Sequence, residues 1–312
     1  SAVVRLIFIL IHTFFHPLPD SGQDAMGIER LAWSWAKEGS ENIFEYFPGY
    51  NSFFYTWLIA LLYSIFGRVL LVVQSLSLIF GVGSVILVWL IGKKIWDENT
   101  ANKCAWIAAL FPTLILYSAL PLREVYNSFF LLVAIWGLVG WYKDHNIKYF
   151  LITIFGFICA SFFHAALLIG GIIFLLVVGA SSFRKSLILL IKGKINIFAA
   201  VIIVILSFFS YFYLSNKIYI PYLGNFEQMT DFDWLKFSMN VRMSGDATYP
   251  EWLKINSFLE IIYKGILRII YFLYSPFPWQ ITKLSHLIGF FDSILYILVS
   301  YYIFLNFNKI WN

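Results

Sequence analysis

Apolar residues run through this chain in long blocks separated by short polar joints. The blocks at 69–92, 101–120, 125–142, 149–163, 165–181, 195–214 and 284–305 approach or reach the length of about 20 residues that carries a helix across a bilayer. Two further blocks, 50–66 and 258–274, carry polar residues and are ambiguous as spans. The first run, 2–15, is too short to cross alone, and we read it as the tail of a first transmembrane helix in a chain that is itself a fragment. The pattern predicts an all-α polytopic membrane helical bundle of about eight spans, organised as one transmembrane domain over 1–312.

The polar joints differ in sign. Lys93, Lys94 and Lys103 flank one, Lys143 and Lys148 a second, Arg184, Lys185, Lys192 and Lys194 a third, and Lys309 follows the last block. The positive-inside bias makes these joints cytoplasmic. The first loop, 17–49, is the opposite: Asp20, Asp24, Glu29, Glu38, Glu41 and Glu45 face only Arg30 and Lys37. With the Arg123–Glu124 corner, the His164 corner and the region 215–283, it forms the external side. An external first loop and a cytoplasmic Lys93–Lys94 need an odd number of crossings between them. One of 50–66 and 69–92 therefore lies at the interface or re-enters.

Within the first loop, Ile28, Leu31 and Trp35 share one face of a helix, with Ala32 beside them. This predicts an amphipathic helix on the membrane surface, anchored by Trp33 and Trp35. Before the last span, Glu260, Lys264 and Arg268 fall at i, i+4 and i+8, a single helical stripe. Three charges on a lipid-facing span are costly, so an interfacial helix with the stripe toward water or a ligand is predicted.

Composition narrows the class further. Of 312 residues, 61% are hydrophobic, 21% aromatic and 12% charged, against about 25% charged in a soluble domain. Only a membrane protein fits. The net charge of +5 follows from Lys and Arg in cytoplasmic joints rather than from nucleic-acid binding. Cys104 and Cys159 lie in apolar blocks, indicating neither a disulfide framework nor a zinc site. Nucleotide-phosphate loops, HExxH, paired CxxC and GxSxG elbows are missing from the sequence.

The spacing Asp24-x-x-Gly27-x-x-x-x-Ala32 in a first external loop resembles the GT-C glycosyltransferases. The resemblance is to the branch of protein O-mannosyltransferases and lipid A aminoarabinose transferases. Tyr46-Phe47-Pro48-Gly49-Tyr50, Gly92-Lys93-Lys94-Ile95-Trp96 and Leu122-Arg123-Glu124 follow in the order that this branch shows, over about 16–145. Two positions depart from it: Ala25 stands where many members pair the aspartate with a glutamate, and Ile28 where an aromatic is common. They leave the acceptor and any divalent metal open, and no other cofactor is implied.

The resemblance implies an enzyme of a bacterial inner membrane that moves a sugar from a polyprenyl-phosphate carrier to an acceptor at the external face. The acceptor is a glycan, a lipid or a protein. The chemistry needs a carboxylate base for the acceptor hydroxyl and cations for the departing phosphate. Asp24 is the leading base, with Asp20 in the same catalytic loop 16–50 and Glu124 at the external corner as further catalytic candidates. Asp24 also suits a helix N-terminus, and Asp20, after Pro19, suits a turn. Arg123, Arg242, Lys264 and Arg268 are the cationic candidates, and Tyr50 and His164 the remaining substrate contacts, with 215–283 as a substrate-binding region. Lys264 and Arg268 equally suit pairing with Glu260 or ordinary lipid phosphates, and His164 suits packing. A single carboxylate base with in-line attack implies inversion. The alternatives are a polymerase or ligase of undecaprenyl-diphosphate glycans, or a transporter of lipid-linked glycans.

Overall fold

The computed structural model describes residues 1–39, 42–48, 53–178, 204, 207, 210–215, 224–241 and 249–307. Among these residues the regular elements are helices, and no strand occurs. The chain divides into two compact units, Ser1–Phe212 and Tyr213–Asn312. Tyr50, Arg242, Glu41, Lys309 and the basic joint around Arg184 lie outside the described residues.

The first unit opens with α1 (Ala2–Phe14), α2 (Gln23–Ala36) and α3 (Phe54–Phe66). It continues through α4 (Leu70–Ile95), α5 (Glu98–Leu110), α6 (Pro112–Ala119), α7 (Glu124–Asp144) and α8 (Ile147–Phe163). A further apolar helix, α9, spans Leu167–Val178. Helix α4 and helix α7 are long and apolar enough to cross a membrane. Helix α3 has 13 residues, about 20 Å of helix against a hydrocarbon core of about 30 Å. Of the two blocks that the charge pattern could not both pass through the bilayer, α3 is the short one.

The block 101–120, expected as one span, is broken. Pro112 has no N–H to offer the preceding turn, and it holds Phe111 extended at φ −65°, ψ 118°. The break leaves helix-end carbonyls in an apolar setting, and side chains from other helices meet them. Arg5 of α1, fully buried, donates from Nη1 to the Ala109 carbonyl at 3.2 Å. Gln74 in α4 donates to the Ala119 carbonyl at 2.8 Å and accepts from Thr13 of α1 at 2.9 Å. Gly81 of α4 lets this region close, since a Cβ there would fall 2.7 Å from Ser118 Cβ.

Helices α7 and α8 make the most extensive contact of the unit. Their approach depends on small residues. A Cβ on Gly137 would fall 2.6 Å from the Thr153 backbone nitrogen, and one on Gly156 would fall 2.5 Å from that of Ala134. At the far end of α7, Lys94 pairs with Asp144 at 2.7 Å and Lys143 donates to the Lys94 and Ile95 carbonyls. The α4–α5 and α7–α8 joints thus lie together at one end. The start of α7 is 21 residues away, about 31 Å along the helix.

The second unit holds α10 (Phe226–Thr230), α11 (Phe232–Asn240), α12 (Phe258–Tyr274) and α13 (Leu284–Leu305). Residues 286–305 of α13 are long and apolar enough to cross a membrane. The charged stripe of α12 faces protein rather than water or ligand, a correction of the expectation. Lys264 pairs with Glu260 at 3.0 Å and donates to the Lys254 carbonyl, while Leu259, Ile262, Ile266 and Phe272 form the exposed side. The carbonyls of the turn Glu251–Leu253 and its flank need donors, and the stripe supplies them, leaving the apolar face outward.

Candidate functional site

Helix α2 begins after a turn in which Asp20 takes a left-handed φ of 61°, a conformation that aspartate tolerates better than most residues. Gly22 is the N-cap, and Asp24 makes no capping hydrogen bond. Asp24 sits in the first turn, where the helix dipole favours a carboxylate. Ala32 and Ala36 are buried against α3, in a core that continues through Tyr55, Ile59 and Tyr63 to Tyr126 of α7 and Phe163 of α8. Small side chains on α2 let the two helices approach.

Trp33 and Trp35, both half-buried, also pack against this core. Trp33 meets Tyr63 edge-on with ring centroids 6.2 Å apart, and Trp35 stacks on Tyr46 at 5.5 Å. The other lock on α2 is an ion pair. Arg68, just before α4, donates from Nε and Nη2 to the two carboxylate oxygens of Glu29, both at 2.8 Å, and Tyr63 donates to Glu29 at 3.1 Å. Arg68 therefore holds the Glu29 carboxyl below its ordinary range.

The face of α2 that remains carries Asp24, Gly27, Ile28 and Leu31, at i, i+3, i+4 and i+7. These residues wall a cavity of about 320 Å³. Phe53 and Thr56 at the start of α3 and Leu122, Arg123 and Glu124 at the α6–α7 corner complete it. The apolar stripe expected to rest on lipid lines this cavity instead. Asp24 makes no hydrogen bond or ion pair among the described residues. Arg123 and Glu124 form only a loose pair, Nε to Oε1 at 3.8 Å. Glu124 Oε2 is buried without a hydrogen-bond partner, and the Glu124 carboxylate lies within electrostatic reach of Asp24.

One cavity thus gathers two carboxylates and a guanidinium from separate elements. The carboxylates can take a proton or hold hydroxyls, and the guanidinium can meet an anion. Among the described residues no group of three or more His, Cys, Asp or Glu side chains gathers as a metal site.

The model of the dolichyl-phosphate-mannose-protein mannosyltransferase family matches residues 51–211. The chain belongs to that family. It is a membrane glycosyltransferase of the GT-C type. Comparisons with curated proteins and with solved structures returned no match. The dolichyl-phosphate-mannose-protein mannosyltransferase match begins just before α3 and takes in Thr56, Arg123 and Glu124, while Asp24 precedes it.

The remaining candidates lie elsewhere. Asp20 is exposed in the turn before α2 and does not line the cavity. His164 ends α8, its N–H bonded to the Ala160 carbonyl at 2.9 Å, beside the Phe163 aromatic core. Lys264 and Arg268 belong to the second unit. Arg268 is buried and donates from Nε and Nη2 to the Leu253 carbonyl at 3.1 and 2.9 Å. Its Nη1 reaches the Met239 carbonyl at 3.1 Å and Nη2 the Asn240 side chain at 3.0 Å. Four of the five N–H donors of a guanidinium are thereby committed, so the expected outward-facing phosphate ligand is replaced by an internal clamp. The sequence reading did not single out Thr56, a polar residue in an apolar run, or Gly27 as an opening onto a cavity.

Proposed function

We propose that the chain transfers a single sugar from a polyprenyl-phosphate carrier to an acceptor hydroxyl, with inversion, and that the α2–α3–α7 cavity is where this happens. Asp24 takes the proton from the acceptor hydroxyl as its oxygen attacks the anomeric carbon. The bond from that carbon to the phosphate oxygen breaks, and the carrier leaves as polyprenyl phosphate. Arg123 meets the negative charge that gathers on the departing phosphate. Attack from the face opposite the phosphate inverts the anomeric centre, because no covalent sugar–enzyme bond intervenes.

The observation that supports this reading is the presence of Asp24, from α2, and Arg123, from the α6–α7 corner, in the lining of one cavity. Its volume, about 320 Å³, is at the small end of ligand sites. That favours a carrier with one sugar over a diphosphate-linked oligosaccharide. We place the cavity at the outer face of the cell membrane, because the paired lysine joints lie at the opposite end of α7 and belong to the cytoplasm. The family description names dolichyl-phosphate mannose and a protein acceptor.

The test is transfer of radiolabelled sugar from synthetic polyprenyl-phosphate monosaccharides by the full chain in liposomes. Asp24→Asn is expected to lower transfer by about 10²-fold or more while inserting normally. Transfer near the wild-type rate in that variant overturns the assignment of the base.

A further inference from the structure

Thr56 stands apart from the other buried hydroxyls on the helices of the first unit. Ser77, Ser84, Ser118, Thr153 and Ser161 are each 5% exposed or less. Each donates to a carbonyl three or four residues earlier on its own helix, at 2.6–3.2 Å, the usual way for a hydroxyl to be satisfied inside an apolar helix. Thr56 is 2% exposed, yet its hydroxyl makes no hydrogen bond among the described residues. It is the third residue of α3, with no full helical turn before it. Phe53 lies three residues earlier on the same face, and both residues line the cavity of Asp24, Arg123 and Glu124.

A buried polar group without a partner is costly, and the cavity is where a partner can enter. The chemistry of the lining selects the kind of partner. Nine described residues surround the cavity, and four of them carry polar side chains: Asp24, Thr56, Arg123 and Glu124. The two carboxylates accept hydrogen bonds and do not donate them. Only Thr56 and Arg123 can donate. The carrier's phosphate is an anionic acceptor, so these are the two side chains it can use. Arg123 alone would set one cation against two carboxylates and the phosphate, and a further donor that brings no new charge relieves this. The first turns of α3 and α7 also line the cavity, and the positive ends of helix dipoles favour an anion.

We infer that the Thr56 hydroxyl is the second side-chain donor to the carrier's phosphate, beside Arg123. The inference rests on the proposed function and deepens it. As the bond to the sugar breaks, negative charge gathers on the phosphate, and a hydrogen bond to that oxygen cluster strengthens with it. Polyprenyl phosphate, the departing form, is therefore the ligand that Thr56 holds best.

The experiment measures binding of the purified full chain to polyprenyl phosphate and to polyprenol, which lacks the phosphate. Wild type should prefer the phosphate. Thr56→Val should weaken binding of polyprenyl phosphate about tenfold, the worth of a hydrogen bond to a charged group, and leave polyprenol binding as it was. Thr56→Ser keeps the hydroxyl and should stay within about twofold of wild type. Thr56→Ala, which adds no atom that could clash, should match Thr56→Val and serves where the valine variant does not fold. If polyprenyl phosphate binds Thr56→Ala as it binds wild type while Arg123→Gln weakens it, the inference fails alone. It also fails if Thr56→Ala loses both ligands equally, or if Thr56→Ser binds as poorly as Thr56→Ala. If wild type does not distinguish the phosphate from the alcohol, the proposed function fails and the Thr56 contact with it.

Discussion

Glu29 and Arg68 are joined by two parallel hydrogen bonds of 2.8 Å that tie the middle of α2 to the approach of α4. Glu29 is largely buried and Arg68 half in solvent, so screening limits the pair to on the order of 1 kcal/mol. Its larger effect is positional. Asp24 lies five residues earlier on the same helix, and the pair helps to set where that carboxylate points.

The pair gives a pH signature. Because Arg68 depresses the Glu29 carboxyl in the folded state, its stabilisation is present above the ordinary glutamate value of 4.5. It is lost as pH falls through the depressed value. Unfolding temperatures in detergent should therefore decline below that pH more steeply in the wild type than in Arg68→Met. Equal pH profiles would show that the pair carries no such linkage.

Asp24→Asn should lower transfer by about 10²-fold or more, the usual range for a lost general base. Asp24 bonds nothing in the fold among the described residues, so the melting curve should be unchanged. Single-turnover transfer assays beside thermal melts check both halves.

Arg123→Gln should reduce transfer by about 10²-fold, because the carrier phosphate loses its counter-charge. Arg123→Lys should retain part of the activity, since a point charge replaces a planar fork. If the lysine variant were as inactive as the glutamine one, shape rather than charge would be the requirement. The assay is transfer at saturating carrier.

Gly156→Ala should cost about 1–3 kcal/mol or prevent folding, since its Cβ would press on the Ala134 backbone, which cannot turn aside as a side chain can. Gly27→Ala, with open space around its Cβ, should leave the melting temperature near wild type. Comparing their melts separates a close helix contact from an open cavity wall.

In the second unit, Arg268→Met should release the carbonyls of Met239 and Leu253 from their donor and loosen 239–241 and 250–254. Hydrogen exchange of those residues should rise while exchange in α7 and α8 stays as it was. A uniform rise would mean that the clamp supports more than its own unit.

Much of this arrangement was legible before any coordinates. Block lengths and Lys-rich joints gave the helical membrane class, and the order of short motifs led to Asp24, Arg123 and Glu124. What a helical wheel cannot show is which side of a face is covered. Ile28 and Leu31 share a stripe whether it meets lipid or a cavity, and Trp33 and Trp35 are as ready to pack on α3 as to sit at an interface. Glu260, Lys264 and Arg268 likewise share one face, but the carbonyls that capture them come from a turn with no periodic signal. The break at Pro112 was missed, because the apolar block runs straight through it, although the missing proline N–H was there to be read.

Besides the nearby Ser1 hydroxyl, Arg5 has a partner far along the chain, the Ala109 carbonyl 104 residues away. Ribosomes add about 5–20 residues per second, so roughly 5–20 seconds pass between the synthesis of the guanidinium and that of the carbonyl it will grip. During that interval a charge on an otherwise greasy helix has to be tolerated at the insertion machinery or near lipid headgroups. The nascent first helix is thus held back from its final seat until the proline-broken helix emerges to receive it.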